Sequence, residues 1–347
     1  MSLLSKIIFL LKKPKVIVVV GNGRTCAKEA IFQVLKDKFE VEKKVLIFET
    51  GDKEVRKFEF FLRNSKVGIL VVTHVGDSPY DKNFFAGERE AINQTLNLAK
   101  ALPAQNYLVL NYDDETVREI NDFTNLKTFT FGFDEKADFF ASDVKLNQGT
   151  NFKVNYKGNT VPFWLEKLFG KEQIYSALAA AAVGTILGLN LVEISQALKN
   201  YKSLPGKMRL IEGIKNSWIL DDSESATVFS MVEAIETLGR TPWAKRKIAV
   251  LGDVIGIGKY TIEAHEAIGE RVVKNADLLF TFGPRAKFIA QGAIQKGMAI
   301  EKIFSFDKIE EGIKKLTDEI KEGDLVLVDG SKEMEMGKII EEIAAFV

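Results

Sequence analysis

Residues 15–20 (KVIVVV) run directly into Gly21-Asn22-Gly23-Arg24-Thr25, and a helical pattern follows from Thr25 to about Phe39. An apolar strand, a glycine turn and a helix start, in that order, suit a phosphate group. Glycine lets backbone N–H groups approach the anion, and the helix N-terminus adds partial positive charge. A P-loop places Lys before its Thr, where the ammonium reaches the terminal phosphates. Arg24 stands there instead; it keeps the charge on a bulkier, planar fork. Val20 occupies the place of the expected leading glycine. An ordinary tight strand–helix turn would carry the same residues. Gly252, Gly256 and Gly258 follow another apolar run, but their spacing is not G-x-G-x-x-G. A nicotinamide-dependent dehydrogenase is rejected on that ground.

The elements that must position these residues show as alternating apolar runs and helical patterns. Continuous apolar runs at 15–20, 45–48, 68–73, 107–111 and 128–132 predict strands buried on both faces of a parallel sheet. Helical stretches separate most of them, which predicts a doubly wound sheet. Residues 141–146 and 152–156, with a turn at 157–159, predict an antiparallel hairpin on the sheet edge. Helices fit 173–187 and 191–198. Ser203-Leu204-Pro205-Gly206 marks a boundary, beyond which strands fit 218–221, 247–251, 278–282, 302–305 and 325–328. Helices fit 228–238, 262–274, 284–296, 308–320 and 336–345. The expected architecture is α/β: a P-loop-type doubly wound central domain, then a smaller Rossmann-like C-terminal domain. The expected limits are 1–12 for an N-terminal helix, 13–204 for the central domain and 205–347 for the C-terminal domain.

Composition fits this. The chain has 347 residues, 46% of them hydrophobic, which is ample for two cores. Lys+Arg and Asp+Glu both number 48, so no global field favours nucleic acid, and none is expected as a partner. One cysteine, Cys26, rules out an internal disulfide and suits a reducing cytoplasm, the expected location. The 7 prolines argue against disordered linkers. Near the N-terminus, Leu3, Leu4 and Ile7 to Leu11 form an apolar run followed by Lys12, Lys13 and Lys15. It is too short to span a bilayer, and a signal peptide would place its charges before the run. A short helix packed on the body is expected; the alternative is a peripheral membrane contact.

A series of segments, in order from about residue 13 to the end, resembles the Mur ligase superfamily, and within it the MurF type. Residues 13–31 (KPKVIVVVGNGRTCAKEAI) resemble the start of the family's central domain. Residues 110–117 (LNYDDETV) and 170–188 (GKEQIYSALAAAAVGTILG) resemble later parts of it, and 204–212 (LPGKMRLIE) its domain junction. Residues 220–231 (LDDSESATVFSM), 247–265 (KIAVLGDVIGIGKYTIEAH) and 326–336 (VLVDGSKEMEM) resemble the C-terminal domain's motifs.

The resemblance implies an ATP-dependent ligase. A carboxylate on a small-molecule acceptor is phosphorylated to an acyl phosphate. An amino-acid or dipeptide amine then forms an amide, with release of ADP and phosphate. Mg²⁺ neutralises the moving phosphoryl group. The resemblance also implies roles by position. Gly21, Asn22, Gly23, Arg24 and Thr25 would hold nucleotide, with Arg24 also in the catalytic set. Glu49 would bind Mg²⁺ and belong to the same set, with Thr25 a further ligand. Tyr175 matches an aromatic beside the nucleotide, and Asp222 the C-terminal domain's second Asp near it. Gly252-Asp253 and His265 also match, His265 as a packing or capping residue, and Lys332 stands where the family often has Arg.

Other positions depart from the pattern. A His metal ligand expected after Thr73 is replaced by Asp81 or Pro79, depending on alignment, and Asp81 is the candidate metal ligand; His74 lies one step off. The family's carbamylated Lys aligns with Thr95, which cannot form a carbamate, and Lys100 is on another part of the helix. A His-Asn pair has become Glu172-Gln173, a later Asn is Ser176, and residues 224–228 replace a Tyr-Asn-Ala-Asn-Pro motif. The segment before Glu49 is nearly deleted, and the N-terminal UDP-sugar domain is expected to be absent. Two readings result: a divergent cell-wall-precursor ligase using ATP and Mg²⁺, or a degenerate family member kept for nucleotide or protein-partner binding.

Overall fold

In a computed structural model, residues 3–74, 89–224 and 226–345 are described, so Asp81 and Pro79 lie outside the described residues. The chain divides into two compact units. The first comprises Met1–Lys145, Asn151–Glu166 and Lys171–Tyr201; the second comprises Leu146–Thr150, Lys167–Gly170 and Lys202–Val347.

The first sheet contains β1 (Lys15–Val20), β2 (Val45–Thr50), β3 (Val67–Val72), β4 (Tyr107–Asn111), β5 (Lys127–Gly132), β6 (Phe139–Leu146), β7 (Gly149–Tyr156) and β8 (Asn159–Glu166). Their order is β2-β1-β3-β4-β5-β6-β7-β8. Pairing is parallel from β2 across to β6. Val16, Val18 and Val20 pack on one side with Leu70, Val72, Leu108 and Leu110. Because β1 lies between β2 and β3, the chain reverses direction across the sheet at β1. Such a switch opens a crevice at the carboxyl ends of the strands.

The hairpin expected on the sheet edge gains a third strand, β8. Its sequence hides it: Pro162 breaks the apolar pattern and half of its residues are exposed. An edge strand tolerates both features. Lys157 (φ 47°) and Gly158 (φ 79°) make the tight turn between β7 and β8 with positive φ at both positions, the geometry that matches strand twist.

The second sheet contains β9 (Arg209–Gly213), β10 (Ser217–Asp222), β11 (Arg246–Gly252), β12 (Leu278–Phe282), β13 (Ile303–Phe306) and β14 (Asp324–Asp329). The order is β13-β12-β11-β14-β10-β9, parallel except for β9. Alternate residues feed two cores: Leu220, Leu251 and Leu327 on one face, Ile219, Val250 and Val328 on the other. The α/β class expected from the sequence is the class observed, with a large, mainly parallel sheet and a second, smaller one. Among the described residues, no helix is long and apolar enough to cross a membrane.

Candidate functional site

In the first unit the loop after β1 is fastened to the end of β3. The Asn22 N–H donates to the His74 carbonyl at 2.6 Å, and the Thr73 hydroxyl donates to the Val20 carbonyl at 2.9 Å. Gly21 has φ 100°, and a Cβ there would press on the Thr73 hydroxyl and His74 backbone. Gly23, also left-handed at φ 76°, is the N-cap of the helix Arg24–Leu35 and leaves that end without a side-chain cap. Arg24 folds back, its Nη1 donating to the Gly21 carbonyl at 3.1 Å. Thr25 opens the same helix, half-buried.

Glu49 sits at the same end of the sheet, because β1 and β2 pair in register with Val19 opposite Glu49. Its Oε1 lies 3.8 Å from the Lys28 ammonium, with both side chains about 30% exposed. Its other oxygen, Oε2, is buried and has no hydrogen-bond partner among the described residues. A carboxylate with an uncommitted oxygen fits Mg²⁺, a hard cation that takes one or two carboxylates and completes its shell with phosphate and water. Among the described residues no group of three or more His, Cys, Asp or Glu is placed to hold a metal ion.

The helix Lys171–Ile186 packs against Arg24–Leu35. Glu172 leans over the glycine loop: its Cγ and Oε1 stand 3.2 and 3.7 Å from where a Cβ on Gly23 would lie. Gln173 is buried and structural, with Nε2 3.7 Å from Cys26 Sγ and Oε1 accepting from the Tyr201 hydroxyl at 3.2 Å. Tyr175 donates its hydroxyl to Asp113 at 2.9 Å and packs edge-on against Phe133. Asp113 also accepts from the Phe133 and Asp134 N–H groups at 2.7 and 3.1 Å. Asp114 caps the turn at Val117 and lies 3.3 Å from His74 Nδ1. The two adjacent aspartates therefore face different partners. Thr95 is fully buried and its hydroxyl has no partner among the described residues, whereas the Lys100 ammonium sits 5.0 Å over the Phe123 ring.

In the second unit, carboxylates gather at the strand ends. Asp221 accepts from Gly206 N–H at 2.8 Å and from the Ser223 hydroxyl at 2.7 Å. Asp253 accepts from the Arg285 and Ala286 N–H groups at 3.0 and 2.7 Å. His265 is buried, and its Nε2 accepts the Val254 N–H at 3.1 Å. The proton therefore resides on Nδ1, which faces the Thr261 carbonyl at 2.6 Å. Burial lowers the pKa of this imidazole, so its work is to fasten the loop after β11. Lys332 pairs with Glu224 at 3.6 Å.

Asp222 and Asp329 lie opposite each other on β10 and β14. Asp329 is completely buried, and neither of its oxygens has a hydrogen-bond partner among the described residues. Burial, then the neighbouring Asp222, push its carboxyl well above the usual aspartate range, while the Gly330 amide, which points toward it without the geometry of a full hydrogen bond, and Lys207 pull the other way.

The sequence reading missed three of these partnerships: Lys28 with Glu49, Tyr175 with Asp113, and Asp222 with Asp329. Each joins residues from different elements. The alternating apolar runs that announce the strands carry no information on which strands become neighbours.

Comparison with known proteins gives the same domain series. The Mur ligase middle domain family matches residues 2–184, and the Mur ligase, glutamate ligase domain family matches 206–332. The UDP-N-acetylmuramoyl-tripeptide–D-alanyl-D-alanine ligase of Bacillus subtilis (strain 168) is 24% identical over 355 residues, spanning 95% of this chain and 76% of its own length. The enzyme of that name from Escherichia coli (strain K12) is 29% identical over 204 residues, spanning 54% of this chain and 43% of its own length. MurF of Acinetobacter baumannii has a similar fold, with a TM-score of 0.81 at 18% identity, covering 97% of this chain and 78% of that one. MurF of Thermotoga maritima, solved in complex with ADP, gives 0.77 at 21% identity, covering 97% and 82%.

Proposed function

The chain belongs to the Mur ligase family, and from that membership we propose that it is a divergent ATP-dependent amide-forming ligase of MurF type, acting on a cell-wall precursor. The observation that carries this reading is the uncommitted Glu49 oxygen, on the strand beside a glycine loop that opens a helix. The two sit at the carboxyl end of the sheet, at its topological switch.

The residues take these parts. The Gly23 to Thr25 turn and the uncapped helix end receive the phosphates. Arg24, released from the Gly21 carbonyl, supplies a positive charge to the terminal phosphate. Glu49 and Thr25 would hold Mg²⁺, which would supply charge neutralisation during phosphoryl transfer. The acceptor carboxylate attacks the terminal phosphorus and ADP leaves. The amine then attacks the carbonyl carbon of the acyl phosphate, and phosphate leaves as the amide forms. Tyr175, held by Asp113, borders the nucleotide.

A second reading is a nucleotide- or partner-binding protein without catalysis. It is favoured by Arg24 bonding to its own loop and by Glu172 leaning over Gly23. Thermal melting with ATP and Mg²⁺ tests the nucleotide site: stabilisation by several degrees is expected, lost in Thr25→Ala and Glu49→Ala. No shift at millimolar nucleotide overturns both the ligase and the nucleotide-binding readings. ADP release that requires an added amine and a carboxylate acceptor separates the ligase from the second reading.

A further inference from the structure

Over residues 6–12 of the N-terminal helix Leu3–Lys12, Phe9 is buried and the other side chains are exposed. Phe9 is 7% exposed and packs on Phe60 and Phe61, with ring centroids 5.9 and 5.1 Å apart. Ile7, Ile8, Leu10 and Leu11 are 46%, 44%, 39% and 81% exposed. Four consecutive-turn apolar side chains facing water are costly unless something covers them.

The first stretch of the chain is basic. The first acidic residue of the chain is Glu29, whereas Lys6, Lys12, Lys13 and Lys15 all precede it. The backbone brings further lysines to the same place: Lys15 N–H donates to the Lys44 carbonyl and Lys66 N–H to the Pro14 carbonyl. Lys44 is paired with Glu40 at 2.6 Å. Lys12, Lys13 and Lys66 are exposed and form no ion pair among the described residues, and Lys43 is exposed near the Glu40 carboxylate. This edge is formed by the amino ends of β1, β2 and β3, opposite the carboxyl ends that carry the glycine loop.

We propose that the helix Leu3–Lys12 lies in the surface of an anionic lipid bilayer, with Ile7, Ile8, Leu10 and Leu11 among the acyl chains and Lys12, Lys13, Lys43 and Lys66 on the headgroups. A helix of 10 residues is about 15 Å long, half the hydrocarbon thickness, so it rests in the interface and does not cross it. Apolar insertion and cationic attraction are the two signals that a stable peripheral contact needs. The phosphate loop, at the far end of the same strands, stays clear of the lipid.

The test is co-sedimentation of the full chain with vesicles of phosphatidylcholine alone, or with about one third phosphatidylglycerol. Binding to the anionic vesicles is expected to exceed binding to the neutral ones about tenfold or more, and to fall in high salt. Leu11→Glu should abolish it. Leu11 is exposed, so the melting temperature of that variant should match the parent's, which separates lost docking from lost folding. Lys12→Glu/Lys13→Glu should weaken binding to anionic vesicles only. Absence of vesicle binding, or binding indifferent to Leu11→Glu, overturns the proposal. A concentration-dependent dimer that Leu11→Glu dissolves, with no vesicle binding, would assign the face to a second copy of the chain and also overturn it.

Discussion

The strand ends of the two units treat their carboxylates differently. In the second unit, Asp221 and Asp253 are enclosed by backbone N–H donors and serve the fold. In the first unit, Glu49 keeps one oxygen uncommitted and faces a half-exposed lysine at 3.8 Å. An acid whose oxygens already accept from backbone amides has less capacity left for a ligand than one with an unpartnered oxygen on the strand beside a glycine loop. On the proposed reading, ligand chemistry is concentrated in the first unit. Asp329 is the exception in the second: it is as buried as its neighbours but has no hydrogen-bond partner among the described residues.

The sharpest break of this contrast is Gly21→Ala. At φ 100° an L-residue is strained, and the added Cβ meets the Thr73 hydroxyl and the His74 backbone. Strain and crowding together should lower stability by about 2–3 kcal/mol and remove nucleotide-dependent stabilisation. Gly188, at φ 97°, has no neighbour within 4 Å of such a Cβ, so Gly188→Ala should cost only about 1 kcal/mol. Chemical denaturation of the pair separates the left-handed backbone from the fastening of the loop. Equal losses would mean that the contact with β3 holds nothing in place.

Asp329→Asn addresses the second unit. The folded-state pKa of Asp329 lies above its unfolded value, so the bound proton stabilises the fold. That contribution is complete below the unfolded value, near 4, and is lost as pH rises through the folded value. Asn cannot ionise, and its amide can donate to Asp222. The variant should match the parent at acid pH and gain on the order of 1 kcal/mol at neutral pH, read as a Tm difference that widens as pH rises. A neutral-pH loss instead would mean that the ionised Asp329 is held by Lys207, and the contrast between the two units would be smaller than drawn.

How far the sequence reveals this molecule depends on range. The buried strands are legible because valine and isoleucine runs such as 15–20 have few alternative conformations once flanked by turns. The glycine loop and Glu49 are legible as strand ends. β8 is not, since Pro162 and its exposed residues imitate a loop. β9 is not either, since Arg209–Gly213 is short and gains its identity from antiparallel pairing with β10. The direction of Arg24 is illegible for a similar reason: the residue type states its charge, and only the fold shows the guanidinium returning to the Gly21 carbonyl.

The smallest effect belongs to Glu172, whose carboxyl leans over Gly23 where a phosphate would approach. Repulsion between it and the nucleotide is weakened by partial exposure and should amount to roughly 0.5–1 kcal/mol, or about two- to fivefold in affinity. Glu172→Gln removes the charge and keeps the shape, so titration calorimetry with ATP and Mg²⁺ should show binding tightened by that factor, less so in high salt. Unchanged affinity would mean that the side chain swings aside when nucleotide enters, leaving the loop's own geometry and Arg24 as the determinants of binding. Weaker binding would mean that Glu172 accepts a hydrogen bond from the ligand, turning an apparent obstacle at this strand end into one of its contacts.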